Sequence, residues 1–231
     1  MGFSFDKDEL NVYILNMINK IVHFSDLHIR LFKDHDLYKK ILMDALEQWK
    51  ELKPDRIVFT GDLVHSKNQM TPELIEMVSW LLLECTKITK IIIIPGNHDA
   101  IIGNLDRLDA LTPIINSLDN ENIFYYRDRG VYEDDNISWC VYSQYQGNIP
   151  PDLSDAKGIK VGLFHGPIQG LKTDLGFEFG EEAYSLSKFD GLEIVLCGDI
   201  HLRQVLYTES TIEIDEELLD DYIKKGWEKL K

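Results

Sequence analysis

Four short apolar runs each end in the same kind of polar residue, and this repetition constrains the chain more than any other feature. The runs are "IVHFSDLH", "RIVFTGDLVH", "IIIIPGNHD" and "LEIVLCGDIH", starting at residues 21, 56, 91 and 192. Their β-branched content reads as buried strand. The unbroken Ile91–Ile94 run implies burial on both faces, the habit of a parallel strand covered on both sides. Helical patterns alternate with these runs. Leu37, Ile41, Leu42, Ala45, Leu46 and Trp49 recur at helical spacing and predict a helix over about 36–51. Pro72 opens another, with Leu74, Ile75, Val78, Leu81 and Leu82 on one stripe.

Such alternation points to βαβ units and a largely parallel sheet. "NIFYY", "ISWCVYSQY" and "IKVGLFHG" read as further strands. Two sheets packed face to face with helices outside accommodate this count. The expected fold class is therefore α/β, a four-layer α/β/β/α sandwich of two mixed sheets with the polar strand ends along one edge. Leu218, Leu219, Tyr222, Ile223, Trp227 and Leu230 describe an amphipathic terminal helix, expected to dock on its own domain.

At 231 residues the chain suits one sizeable domain. No apolar stretch approaches the roughly 20 residues of a membrane span, and the N-terminus lacks the pattern of a secretory signal. Cys85, Cys140 and Cys197 are far apart and odd in number, which reads as buried thiols in a reducing compartment. An intracellular, cytoplasmic protein without membrane attachment is the expectation. A net charge of −16 argues against a generic polyanion binder. The stretch from Glu209 to Lys231 carries eight acidic against four basic residues, so the remainder is less acidic than the total suggests. Work on nucleic acid would need a cation or a partner to supply positive charge.

The polar residues at the strand ends are Asp26 and His28, Asp62 and His65, Asn97, His98 and Asp99, His165, and Asp199 with His201. In open α/β sheets ligands gather at the carboxyl edge of the strands. Side chains two apart on a strand point the same way, which would aim Asp26 with His28 and Asp199 with His201. Carboxylates, imidazoles and an amide together suit Mn²⁺, Fe²⁺ or Zn²⁺ better than an all-oxygen calcium cage. Two such ions about 3.5–4 Å apart clamp the attacking and leaving oxygens of a phosphoryl displacement. Taken singly, Asp-x-His is a common surface turn and Gly-Asp a common helix cap. All five groups in this order, each at a strand end, make a two-metal site the better reading.

The ordered set Asp-x-His, Gly-Asp, Gly-Asn-His-Asp, His and Gly-Asp-x-His resembles the signature of the calcineurin-like metallophosphoesterase superfamily over about residues 20–206. That resemblance implies a metal-bound hydroxide attacking phosphorus. It places Asp26, His28 and His201 on the first metal, Asp62 between the two, and Asn97, His165 and Asp199 on the second. His98 would assist the chemistry, with Asp99 orienting it. Domain boundaries follow: an N-terminal extension at 1–19, the phosphoesterase domain at 20–208, and the acidic helix at 209–231.

Within the superfamily, "GDLVHSKNQMTPE", "DRLDALTPI" and "GDIHLRQ" are most similar to the SbcD-type nucleases of DNA repair and recombination. By that likeness His65 contacts substrate phosphate and the substrate is DNA, cut as an exonuclease or endonuclease. The likeness also implies an SbcC-type coiled-coil ATPase partner, a homodimer, and the host cytoplasm if the chain is phage or viral. A small-molecule or cyclic-nucleotide phosphodiesterase is the competing enzyme, and a non-catalytic metal-stabilised scaffold the third reading. Asp199 stands where the family more often has histidine. A carboxylate there would tilt metal preference toward Mn²⁺ or Mg²⁺, with Mn²⁺ the expected ion.

Overall fold

The β-branched runs pair as their composition dictates. A computed structural model describes residues 17–104, 106–173 and 176–201. Residues 1–16 and the helix assigned to 209–231 lie outside the described residues. Strands β1 (Ile21–Phe24), β2 (Arg56–Thr60), β3 (Lys90–Ile94) and β4 (Ile123–Tyr125) form one sheet in that order, each pair parallel. Parallel neighbours need crossovers. These carry α1 (His35–Leu52), α2 (Pro72–Thr86) and α3 (Thr112–Leu118). The second sheet runs β5 (Gly130–Asp134), β6 (Ile137–Val141), β7 (Ile159–His165), β8 (Ile194–Gly198). Its β5–β6 pair is antiparallel and the other two are parallel, so this sheet is mixed while the first is parallel throughout its described strands.

The side-chain period of two explains the Ile91–Ile94 run. Ile91 and Ile93 pack under the helices with Ile57 and Phe59. Ile92 and Ile94, with Val58, face the second sheet and cluster with its Trp139, Val161 and Leu163. Each side chain so buried contributes roughly 1.5–3 kcal/mol, which favours apolar residues on both faces of a central strand. Thr71 caps α2, its hydroxyl accepting from Leu74 N at 3.3 Å, with Pro72 at the first turn where its missing N–H costs nothing. In α1 the inward stripe is narrower than the spacing predicts. Leu42 and Leu46 are buried, while Leu37 and Ile41 stay 56% and 38% exposed.

The outer face of the second sheet is covered differently. Tyr142, Phe164, Ile168, Leu171 and Phe189 form its core. The segment between β7 and β8 supplies that cover, with a 3₁₀ turn at Leu186–Phe189 as its regular piece. Pro167, Gly170, Gly176 and Gly180 interrupt any helical period there. "ISWCVYSQY" is not one strand: β6 ends at Val141 and Gln144–Gln146 turn as 3₁₀. Strand β5 goes unsignalled in the sequence because it is half-exposed and carries Glu133 and Asp134.

Packing begins before the boundary placed at residue 20. Ile18 is buried between the sheets, and its backbone N–H donates to Asn136 Oδ1 at 2.6 Å. Cys85 and Cys140 are buried and Cys197 is half-buried, all three unbridged. Burial pushes the Cys85 thiol up to about 12, an inert packing residue. Among the described residues no helix is long and apolar enough to cross a membrane.

Candidate metal centre

The carboxyl ends of β1, β2, β3, β7 and β8 meet along one edge of the sandwich, and every polar residue singled out there is carried on one of them. Backbone pairing continues past the strands and fixes the loops. Asp26 N donates to Gly61 O at 3.0 Å and His28 N to Asp62 O at 2.9 Å. His165, the last residue of β7, joins the two sheets through its Nδ1, 2.6 Å from the Thr60 carbonyl oxygen. That contact fixes Nδ1 as a protonated nitrogen and leaves Nε2 aimed at the centre.

Three sets of ligand atoms converge: Asp26, His28 and His201; Asp26, Asp62 and His165; and His28, His65 and His98, each within 4.8 Å. His28 Nε2 lies 3.9 Å from Asp26 Oδ1 and 3.7 Å from Asp62 Oδ2. His165 Nε2 lies 3.4 Å from the same Asp62 oxygen and 3.0 Å from Asn97 Oδ1. His201 is 62% exposed at the rim, its Nε2 4.0 Å from Asp26 Oδ1. One Asp62 oxygen thus faces imidazoles from both halves of the site, the position a bridging carboxylate takes.

The groups fit a cation. Both ring nitrogens of His28 and the Asp62 Oδ2 atom are buried and lack a hydrogen-bond partner. Buried polar atoms are otherwise almost always paired, because each orphan costs roughly 1–3 kcal/mol. Burial acts first to lower the His28 pKa below that of free imidazole, only partly offset by Asp62, so the ring is held neutral as a ligand must be. Burial alone would raise Asp62, but the His165 imidazole, 3.4 Å from its Oδ2, outweighs it and keeps the carboxyl below its ordinary value. His165 responds in turn: burial opposes its charged form, yet Asp62 lifts it to about 9. A cation at this edge would take over the role of that proton.

Backbone geometry corrects the reason given for the paired ligands. Asp26, His28, Asp62 and Asp199 all have left-handed φ values, of 57°, 46°, 56° and 72°. None is an extended strand residue, so period-two alternation does not aim them. Tight turns do, of a kind that aspartate tolerates better than most residues. Gly61, with φ 96°, and Gly96 leave room for this: a Cβ on Gly61 would come 2.7 Å from Gly96 Cα.

One expected role also changes. Asp99 does not orient the His98 ring. Fully buried, its carboxylate instead accepts from the backbone N–H groups of Val64 at 3.0 Å, Gly96 at 3.0 Å and Leu63 at 3.3 Å. Burial pushes its pKa up to about 6 even against those donors. It clasps the β2 and β3 loops together, while the His98 Nδ1 is held by the His65 carbonyl oxygen at 2.6 Å. The His98 N–H donates to Asp62 Oδ1 at 2.8 Å, and its ring lies 4.6 Å from that of His28. The carboxylate of Asp199 joins none of the three ligand sets; the residue's backbone N–H donates to both Asp26 oxygens at 3.1 Å. Burial raises its pKa, with His165 opposing and the neighbouring Asp62 and Asp26 charges adding to the rise.

Residues not singled out by sequence complete the frame. Ser25 donates to the Asp26 carboxylate. Lys67 Nζ donates to the Asn97 carbonyl at 2.7 Å. Gln144 and Asn148 donate to the His165 carbonyl at 2.9 and 3.3 Å. Ser25 and Lys67 sit inside the quoted motifs, whereas Gln144 belongs to a segment read as strand, which hid it, and Asn148 lies just beyond that segment.

The chain belongs to the calcineurin-like phosphoesterase family, whose profile matches residues 19–203. It is 34% identical over 219 residues to "Uncharacterized protein R555" of Acanthamoeba polyphaga mimivirus, a match covering 87% of this chain and 16% of that protein. The chain therefore spans about 16% of that relative's length. It is 27% identical over 227 residues to the glycerophosphodiester phosphodiesterase GpdQ of Enterobacter lignolyticus (strain SCF1), covering 83% of this chain and 74% of that one. Among solved structures it is similar to Pseudomonas putida nuclease MPE, with a TM-score of 0.42 and 15% identity, over 83% of this chain and 81% of the other.

Proposed function

We propose that this metal-dependent phosphoesterase is a two-metal phosphodiester hydrolase acting on nucleic acid, of the SbcD type. The observation that carries the two-metal reading is the Asp62 Oδ2 atom, buried, without a hydrogen bond among the described residues, and within 3.7 Å of His28 and 3.4 Å of His165. Asp26, His28 and His201 would hold one ion, and Asn97 and His165 the other, with Asp62 between them. Bound ions supply Lewis-acid stabilisation of the phosphoryl oxygens and an activated water. The chain's own residues do the rest. His98, its Nδ1 fixed by the His65 carbonyl, presents Nε2 to protonate the departing oxygen. Asp99 holds the two loops in register so that Asp62 and His98 keep their spacing.

Mn²⁺ is the proposed ion, from the mixed oxygen and nitrogen donors. The nucleic-acid substrate rests on the "GDLVHSKN" and "GDIHLRQ" likeness, and an SbcC-type ATPase partner belongs to the same proposal. The similarity to GpdQ favours a second reading, hydrolysis of small diesters. A Mn²⁺-dependent assay on linear duplex DNA, single-stranded DNA, cyclic nucleotides and bis-p-nitrophenyl phosphate separates the two. DNA cleavage supports the first. Turnover of small diesters alone, with DNA intact at low salt, replaces it with the second.

A further inference from the structure

The loop after β1 and the loop after β2 run side by side and enclose a pocket of about 350 Å³ next to the centre. Arg30, Phe32 and Lys33 line one side of it, and His65, Ser66 and Gln69 the other. Its volume falls within the roughly 300–1,000 Å³ usual for small-ligand sites. His65 belongs both to this pocket and to the imidazole set with His28 and His98. The pocket therefore adjoins the place where a substrate's phosphorus would meet the metals.

The pocket's chemistry is unlike the rest of the chain. The molecule carries a net charge of −16, yet two cations line this pocket, and a third, Lys67, sits two residues from His65. Between Arg30 and Lys33 the phenyl ring of Phe32 is 67% exposed. An apolar ring of this size is costly to leave in water, and it sits at the tip of a loop that is otherwise held firmly. Ile29 N donates to Leu63 O and His65 N to Ile29 O, both at 3.0 Å. The Thr71 hydroxyl donates to the Leu31 carbonyl at 3.0 Å, and the His35 ring lies 2.6 Å from the Arg30 carbonyl. A backbone fixed at four points presents the ring and the two cations without the cost of ordering the loop at binding.

We infer that this pocket binds the nucleoside next to the scissile phosphate, its unpaired base stacked on Phe32 and its adjoining phosphate held by Arg30 and Lys33. Aromatic platforms flanked by cations are how single strands are gripped without regard to sequence. A paired base has no free face for Phe32, so the substrate class is single-stranded nucleic acid or a strand end. This assignment rests on the phosphodiesterase reading above and adds the substrate's orientation to it.

The test compares two diesters with one leaving group, thymidine 5′-p-nitrophenyl phosphate and bis-p-nitrophenyl phosphate, in the Mn²⁺-loaded full chain. The wild type is expected to favour the nucleoside ester in kcat/KM. Phe32→Ala should lower that preference about tenfold, the order of one lost base stack. Phe32→Trp should retain it, and Phe177→Ala, at an exposed ring outside the pocket, should match the wild type. An unchanged preference in Phe32→Ala, or no preference in the wild type, overturns the pocket assignment while leaving the hydrolase reading standing. Failure of the wild type to hydrolyse either diester overturns both.

Discussion

The two polar edges of the sandwich treat buried charge in opposite ways. Where the parallel strands begin, Arg56 donates Nε to Asp134 Oδ2 at 2.7 Å and Nη2 to Asp134 Oδ1 at 2.6 Å, with Asp135 a further 2.9 Å contact. Trp139 adds an indole N–H to Asp134 at 3.1 Å. Where the strands end, Asp62 Oδ2 and both His28 nitrogens make no hydrogen bond among the described residues. The first edge is saturated from within and contributes to folding. The second is left short of donors and of positive charge, which is the condition for taking up cations.

Substitutions at each edge test that contrast. Asp62→Ala should abolish metal retention and hydrolysis together, by at least about 10³-fold in rate, because one carboxylate serves both ions. Metal content after dialysis against Mn²⁺, beside turnover of bis-p-nitrophenyl phosphate, reads it. Two ions per chain in that variant would break the comparison outright. His98→Ala should keep its metal and lose about 10²–10⁴-fold in turnover, the range for a positioned acid.

At the opposite edge Asp134→Asn should leave hydrolysis intact and cost about 2 kcal/mol at neutral pH, measured by urea unfolding. Its pH dependence has a definite sign. Burial by itself raises the Asp134 pKa, but hydrogen bonds from Arg56 and Trp139 outweigh it and hold it below the ordinary value. The wild-type advantage is therefore complete above the unfolded carboxylate value of about 3.9 and is lost as pH falls through the lower folded value. A variant difference that grew in acid would contradict this. The smallest effect belongs to Asp199→Asn, expected to change Mn²⁺ affinity less than about threefold. A loss of tenfold or more by titration would put its carboxylate on the ion.

Much of this contrast can be read in the chain and some cannot. The strands end in ligands because β-branched runs are local and the polar residues follow them directly, so Asp26, Asp62, Asn97 and His165 are visible before any folding. The parallel order of β1–β4 follows from the same alternation. Strand β5 is hidden because half of its surface meets water, which removes the apolar signal. The turns that aim Asp26 and His28 are hidden because left-handed φ in a non-glycine residue comes from neighbouring loops, not from its own identity. Asp99 illustrates the same limit. Its place in Gly-Asn-His-Asp suggests a partnership with the preceding residue, His98, and only the fold shows its carboxylate turned to three backbone amides.

The His165 imidazole touches Thr60 in one sheet while growing out of a strand in the other. The two sheets therefore act as the jaws of a caliper whose gap is set by their mutual slide. Trp139, Val58 and Ile92, packed between them well below the site, fix that slide. Reshaping this packing would shift the spacing of the ligands without touching one of them, so the geometry of the site is set by the core as well as by the rim.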